Sequence, residues 1–160
     1  MVSFIFVTER FLNIKFMNME TAPFTIERTF HAPVEKVWKA ITSRDEMSNW
    51  YFNMEEFRPE VGFEFEFTGG SEEEQYVHKC KVLTAEVNKK LAYSWVYENY
   101  PGYSVVTFEL FPEGDKTRLK LTHEGLETFP QNKKDFGRDS FSAGWTEIIG
   151  TFLKNSLEKA

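Results

Sequence analysis

Residues Phe24 to Trp50, FTIERTFHAPVEKVWKAITSRDEMSNW, constrain the fold more than any other stretch. Phe24, Ile26 and Phe30 alternate with Thr25, Glu27 and Thr29, the pattern of a half-wet strand. His31-Ala32-Pro33 ends it, and Pro33 suits the first turn of a helix, where no backbone N–H is needed. Val34, Val37, Trp38 and Ile41 then recur at helical spacing, with Glu35, Lys36 and Lys39 on the wet face. Ser43, with Glu46 three residues on, reads as the capping box of a second short helix ending near Trp50. A chain that places two helices directly after its first strand cannot continue as a simple β-meander. It has to carry a helical layer across one face of its sheet.

From Val61 to His123 the chain reads as strands. Val61-Gly62-Phe63 opens one in which Phe63, Phe65 and Phe67 face inward and Glu64 and Glu66 outward. Gly69-Gly70-Ser71 and Glu72 to Glu74 form a hairpin turn. The next strand spans Tyr76 to Val87, with His78, Cys80 and Val82 opposite Lys79 and Lys81. Leu91 to Tyr97, Tyr103 to Phe111 and Thr117 to His123 are three more strands, separated by Asn- and Gly-bearing turns. Tight turns without crossover helices require antiparallel pairing. From about Asp135 to Leu157 the pattern is helical again, with Phe141, Trp145, Ile148/Ile149, Phe152 and Leu153 as one apolar stripe. The expected fold is α+β, a curved antiparallel sheet wrapped around a long C-terminal helix, with two short helices after the first strand.

At 160 residues one domain accounts for the chain. Residues 1–19 are read as an N-terminal extension outside the fold, with Met17 and Met19 as alternative starts, and residues 20–160 as the single domain. The extension's apolar run, Phe4 to Val7, is too short for a signal sequence or a membrane span. A net charge of -6 argues against a nucleic-acid partner, since phosphate binding concentrates positive charge. The single cysteine, Cys80, has no disulfide partner, which fits a cytoplasmic location.

Several short segments resemble the SRPBCC or START-like superfamily, which has the helix-grip fold. They are similar in particular to its AHSA-like family, homologues of an activator of the heat-shock-protein ATPase. The matching segments are F-x-I-E-R-x-F-x-A-P-x-E-K-V-W-x-A-I-T at Phe24 to Thr42 with Trp50, Gly62-Phe63, and L-A-Y-S-W at Leu91 to Trp95. V-T-F-E-L at Val106 to Leu110, T-R-L-K-L-T-H-E-G at Thr117 to Gly125 and Gly144-Trp145 complete the set. Six pieces in family order are specific for fold and far less so for function. One departure is His78-Lys79-Cys80-Lys81, where many relatives carry a glycine. The chaperone co-factor's separate N-terminal domain has no counterpart here, so the activator function is expected to transfer in name only.

The unusual composition is 17% aromatic. Rings between a sheet and a helix either fill the interior or line a pocket. The resemblance implies a pocket, and the residues expected to line it are Trp50, Phe52, Phe63, Phe65, Phe67, Tyr76, His78, Trp95, Tyr97, Phe108, His123, Trp145 and Ile149. Tyr76, Tyr97 and His123 would be its polar handles. His78 and His123 could also serve as a general base or as partial metal ligands. Without a positioned carboxylate they read as structural, one bonded to a neighbouring main chain and one at the pocket mouth. No zinc spacing, phosphate loop or nucleophile elbow is present, so no metal, cofactor or catalytic residue is expected. Cys80 on a strand is flanked by lysines that face away from it. The expected function is non-enzymatic binding of a small hydrophobic or lipid-like ligand. The alternatives are a chaperone-interacting module, and an enzyme of cyclase or hydrolase type using the same cavity.

Overall fold

The computed structural model describes residues 21–158, so the reading of residues 1–19 as an extension lies outside the described residues. Strands β1 (Phe24–Phe30), β2 (Glu64–Gly70), β3 (Gln75–Glu86), β4 (Lys90–Tyr97), β5 (Ser104–Glu113) and β6 (Lys116–Glu124) form one antiparallel sheet. Its order is β1-β6-β5-β4-β3-β2, so the first two strands in sequence are its two edges. Helices α1 (Val34–Thr42) and α2 (Arg44–Trp50) make the crossing between those edges. A register shift between Val82 and Thr84 marks a bulge in β3, which adds twist to the curved sheet and leaves Leu83 partly exposed.

The alternation read from the sequence sets which face is covered. On β3, Tyr76, His78, Cys80 and Val82 are buried while Lys79 and Lys81 are exposed. On β6, Thr117, Leu119, Leu121 and His123 are buried. Three local expectations need correction. Phe63 precedes β2 rather than belonging to it, and is only half-buried. Ser43 occupies the N-cap of α2, but its hydroxyl makes no capping bond, and only its carbonyl accepts from Met47 N–H. Pro33 stands at the N-cap of α1, one residue before the helix, in extended backbone with φ −69°.

The C-terminal helix has three parts: α3 (Arg138–Glu147), a π-helical stretch (Ile148–Leu153) and α4 (Lys154–Glu158). Its buried residues explain why. Phe141, Trp145, Ile149, Leu153 and Leu157 all recur at intervals of four. In an α-helix each such step overshoots a turn by about 40°, or about 160° over four steps. A uniform α-helix would rotate this stripe away from the sheet. The π stretch, with i→i+5 bonding, takes more residues per turn and turns the stripe back. The same re-phasing carries Phe152, expected within the stripe, to the outside at 43% exposure.

Burial of each of these side chains is worth roughly 1.5–3 kcal/mol, so tertiary packing rather than intrinsic propensity holds the helix. Hydrogen bonds fix both ends. The Arg138 guanidinium donates to the carbonyls of Ala22 and Pro23 ahead of β1. At the other end Lys36 Nζ donates to Leu157 O at 2.8 Å, and His31 N–H to Glu158 Oε1 at 3.0 Å.

Candidate functional site

Between the β2–β3 end of the sheet and α3 lies a cavity of about 340 Å³. β3 and β4 supply Tyr76, His78, Trp95 and Tyr97, and α3 supplies Phe141, Gly144 and Trp145 as the facing wall. Phe52 and Phe136 close the sides. Gly70, Ser71, Asp135 and Ser140 also border the space and are exposed, so its mouth opens between the β2–β3 turn and the start of α3. The space exists partly because of Gly144. A Cβ built there meets nothing within 4 Å.

The sheet register brings the rings together. His78 pairs with Tyr97 and Cys80 with Trp95 across β3 and β4. The His78 ring stands 4.8 Å from Trp95 and 4.7 Å from Tyr97, and it stacks on Phe67 at 4.5 Å and 17°. Phe67 stacks in turn on Phe52 at 4.3 Å. Phe67 therefore supports the wall from behind rather than forming it.

Both histidines have defined roles. Trp145 Nε1–H donates to His123 Nδ1 at 3.0 Å. The other ring nitrogen must then carry the proton, and Nε2–H donates to Ser104 Oγ at 2.9 Å. Ser104 donates its own proton to the Trp95 carbonyl at 2.8 Å. Both nitrogens of His123 are thus engaged, and burial pushes its pKa down to about 3. It has no lone pair left for a substrate. His123 also lies in the core, with no exposure, rather than at the pocket mouth. His78 Nδ1 lies 3.0 Å from the Tyr76 carbonyl, to which it donates when neutral, and burial lowers its pKa to about 4. Each is neutral at pH 7.

The mouth is ringed by charge. Tyr76 donates to Asp135 Oδ2 at 2.6 Å, and burial raises the Tyr76 pKa, with that carboxylate adding to the effect. Lys133 Nζ lies 2.9 Å from each oxygen of Glu74 and over the rings of Tyr76 and Tyr100. The Lys133 ammonium holds Glu74 below the usual carboxylate range, and Glu74 raises Lys133. This cluster ties the β2–β3 turn to the loop that roofs the cavity. Gly125 begins that loop at φ +88°, where a Cβ would meet Tyr103 O at 2.5 Å.

Of the thirteen residues expected to line a pocket, Phe52, Tyr76, His78, Trp95, Tyr97 and Trp145 border this cavity. The other seven do not. Trp50 donates its indole N–H to Ala40 O at 2.9 Å and locks α2 onto α1. Phe65 packs edge-on against Phe57 and Tyr93, and Phe63 against Phe57 near the sheet's outer rim. Phe67, Phe108, His123 and Ile149 form the layer behind. Alternation marks a residue as inward-facing; it does not say how deep along the strand the helix departs from the sheet. Asp135, Phe136, Ser140, Phe141, Gly144 and Ile148 were missing from the expected set. Phe141 and Gly144 carried a signal, lying four and one residues before Trp145 on the predicted helix. Phe136 lies in a short 3₁₀ turn that no periodicity announces.

One polar atom stands out. Trp95 Nε1–H is buried with no hydrogen-bond partner. The Tyr97 hydroxyl stands near enough for the indole to favour its ionised form, yet the two make no hydrogen bond. Burial raises Tyr97, and also the free thiol of Cys80, so neither ionises near neutral pH. A wider groove of about 950 Å³ runs along the sheet's outer face, but Glu64, Glu66, Lys79 and Lys81 line it and it lacks the apolar lining of a ligand site. Among the described residues no three His, Cys, Asp or Glu side chains converge as metal ligands, and no helix is long and apolar enough to cross a membrane.

A curved antiparallel sheet gripping a long C-terminal helix over an internal cavity defines the helix-grip class. Within that class, residues 31–158 match the family described as Activator of Hsp90 ATPase homolog 1-like protein, and the chain belongs to that family. Solved structures agree. Protein MLL2253 from Mesorhizobium loti is 28% identical, with TM-score 0.69, covering 86% of this chain and 98% of its own. CalU16 from Micromonospora echinospora is 26% identical, with TM-score 0.66, covering 85% of this chain and 74% of its own. Protein CV1439 from Chromobacterium violaceum shares the fold at 18% identity and TM-score 0.72, covering 86% and 98%. No curated protein matches the chain.

Proposed function

We propose that this protein is a non-enzymatic carrier or sensor that holds one small, largely aromatic molecule in the cavity between β3, β4 and α3. The observation that carries the reading is the cavity itself, about 340 Å³ of open space walled by rings and kept open at Gly144. That volume is near the lower end of the roughly 300–1,000 Å³ typical of ligand pockets. It suits a compact ring system better than a two-chain lipid. The absence of catalysis is supported by the histidines: His123 has both nitrogens engaged, and no carboxylate bonds to His78 among the described residues.

Native mass spectrometry on protein purified from its host without detergent, then thermal melts with a panel of one- and two-ring aromatics, tests this reading. A reproducible mass excess is expected, together with stabilisation of RT ln(1 + [L]/Kd), about 2.7 kcal/mol at a hundredfold excess over Kd. A clean apo mass and flat melts across the panel would overturn it. The family description points instead to a chaperone partner. That alternative requires a stable complex and an altered ATPase rate with a purified chaperone, and the cavity reading predicts neither.

A further inference from the structure

Two hydrogen-bond donors on the cavity wall have no acceptor. Trp95 and Tyr97 are two residues apart on β4, so both side chains leave the same face of the sheet. Their ring centroids are 6.3 Å apart, and both border the cavity. Trp95 is 5% exposed and its N–H is unpartnered. The Tyr97 proton likewise has no acceptor among the described residues. Elsewhere in the interior such groups are satisfied. Trp50 donates to Ala40, Trp145 to His123, Tyr76 to Asp135, and Tyr51 and Tyr93 bond each other at 2.7 Å. A fold that pairs these neighbouring donors and leaves Trp95 and Tyr97 unpaired, side by side and facing open space, is incomplete at that point.

We infer that the ligand presents a neutral carbonyl-type oxygen that accepts from Trp95 Nε1–H and Tyr97 O–H together, with its ring system lying against Phe136, Phe141 and Trp145. The inference rests on the cavity reading above and specifies its ligand class. Neutrality is dictated by the lining. Asp135 is its one charged side chain among the described residues, and it is acidic. Lys133 lies outside the lining and is committed to Glu74. A carboxylate ligand would be buried without a counter-charge, whereas a ketone, aldehyde or amide oxygen supplies the missing acceptor without importing charge.

The test uses three probes of one shape: 2-acetylnaphthalene, 2-isopropenylnaphthalene, in which C=CH₂ replaces C=O, and 2-naphthoate. Dissociation constants are measured by calorimetry at pH 7.5 for the full chain and for Tyr97→Phe and Trp95→Phe. The ketone should bind at least about tenfold more tightly than the alkene and more tightly than the carboxylate. Tyr97→Phe should shrink the ketone-to-alkene ratio several-fold while leaving alkene affinity unchanged. Trp95→Phe should do the same to the ratio, and if that variant fails to fold, Tyr97→Phe still decides. Equal ketone and alkene affinity in the unmodified protein, or a ratio unmoved by Tyr97→Phe, would overturn the two-donor site while the cavity reading stands. Tightest binding of 2-naphthoate would overturn its neutrality. Failure of all three probes to bind would overturn the cavity reading and this inference together.

Discussion

Gly144 offers the sharpest test of whether the cavity is open in solution. It sits inside α3 in helical backbone, where glycine costs about 0.8–1 kcal/mol relative to alanine. A Cβ there would meet nothing within 4 Å. Gly144→Ala should therefore gain nearly the whole propensity difference, with no steric cost to offset it. For a chain of this size, about 1 kcal/mol corresponds to a rise in Tm of roughly 2–4 °C. Gly144→Leu extends a side chain into the space Trp145, Phe141 and His78 border. It should fold, yet lose the thermal stabilisation that an aromatic ligand gives the unmodified protein. Calorimetric melts of the three proteins, with and without 2-acetylnaphthalene, read both effects. If a neighbouring ring filled the space in solution, the new methyl would overpack it and cost about 1–3 kcal/mol. A fall in Tm for Gly144→Ala would refute the reasoning.

The two buried histidines make stability depend on pH. Their folded pKa values, about 4 for His78 and about 3 for His123, lie below the usual 6.5, so below pH 6.5 the unfolded chain binds protons that the folded chain does not. Stability is fully present above pH 6.5 and declines as pH falls toward those folded values, by roughly 2 kcal/mol per histidine at pH 5. Urea midpoints that stay constant between pH 7.5 and 5 would contradict this. The π stretch predicts unequal neighbours on the C-terminal helix. Phe152→Ser should change stability by less than about 0.5 kcal/mol, whereas Leu153→Ala should cost about 2–5 kcal/mol. Denaturation midpoints that rank the two the other way would contradict the re-phased register.

The architecture was legible because period-2 and period-3.6 patterns survive in single segments. Phe65/Phe67, His78/Cys80 and Leu119/Leu121 each fixed an inward face without any partner strand. The site was less legible because it depends on where two such faces part. Trp145 and Ile149 belong to the same buried stripe, but one lines the cavity and the other is packed core. His78 and His123 look equivalent in sequence, each at an inward position of a strand, and only the three-dimensional neighbours decide their roles. His123 meets Trp145 and Ser104 across the core, while His78 faces the opening. The Phe152 error has a definite origin. A spacing of four satisfies an α-helical pattern over one or two turns, and the drift that demands a π turn shows only when Phe141 to Leu157 is traced as a whole.

Binding of a small ring beside Trp95, inside the fold, is tested most directly by the four indole N–H groups of the chain. Their ¹⁵N–¹H correlation spectrum is recorded during titration with 2-acetylnaphthalene. The Trp95 resonance should shift saturably, while that of Trp50, bonded to Ala40 and away from the cavity, stays in place. An unmoved Trp95 resonance at saturating probe, or equal shifts at Trp95 and Trp50, would contradict a ligand site at this position.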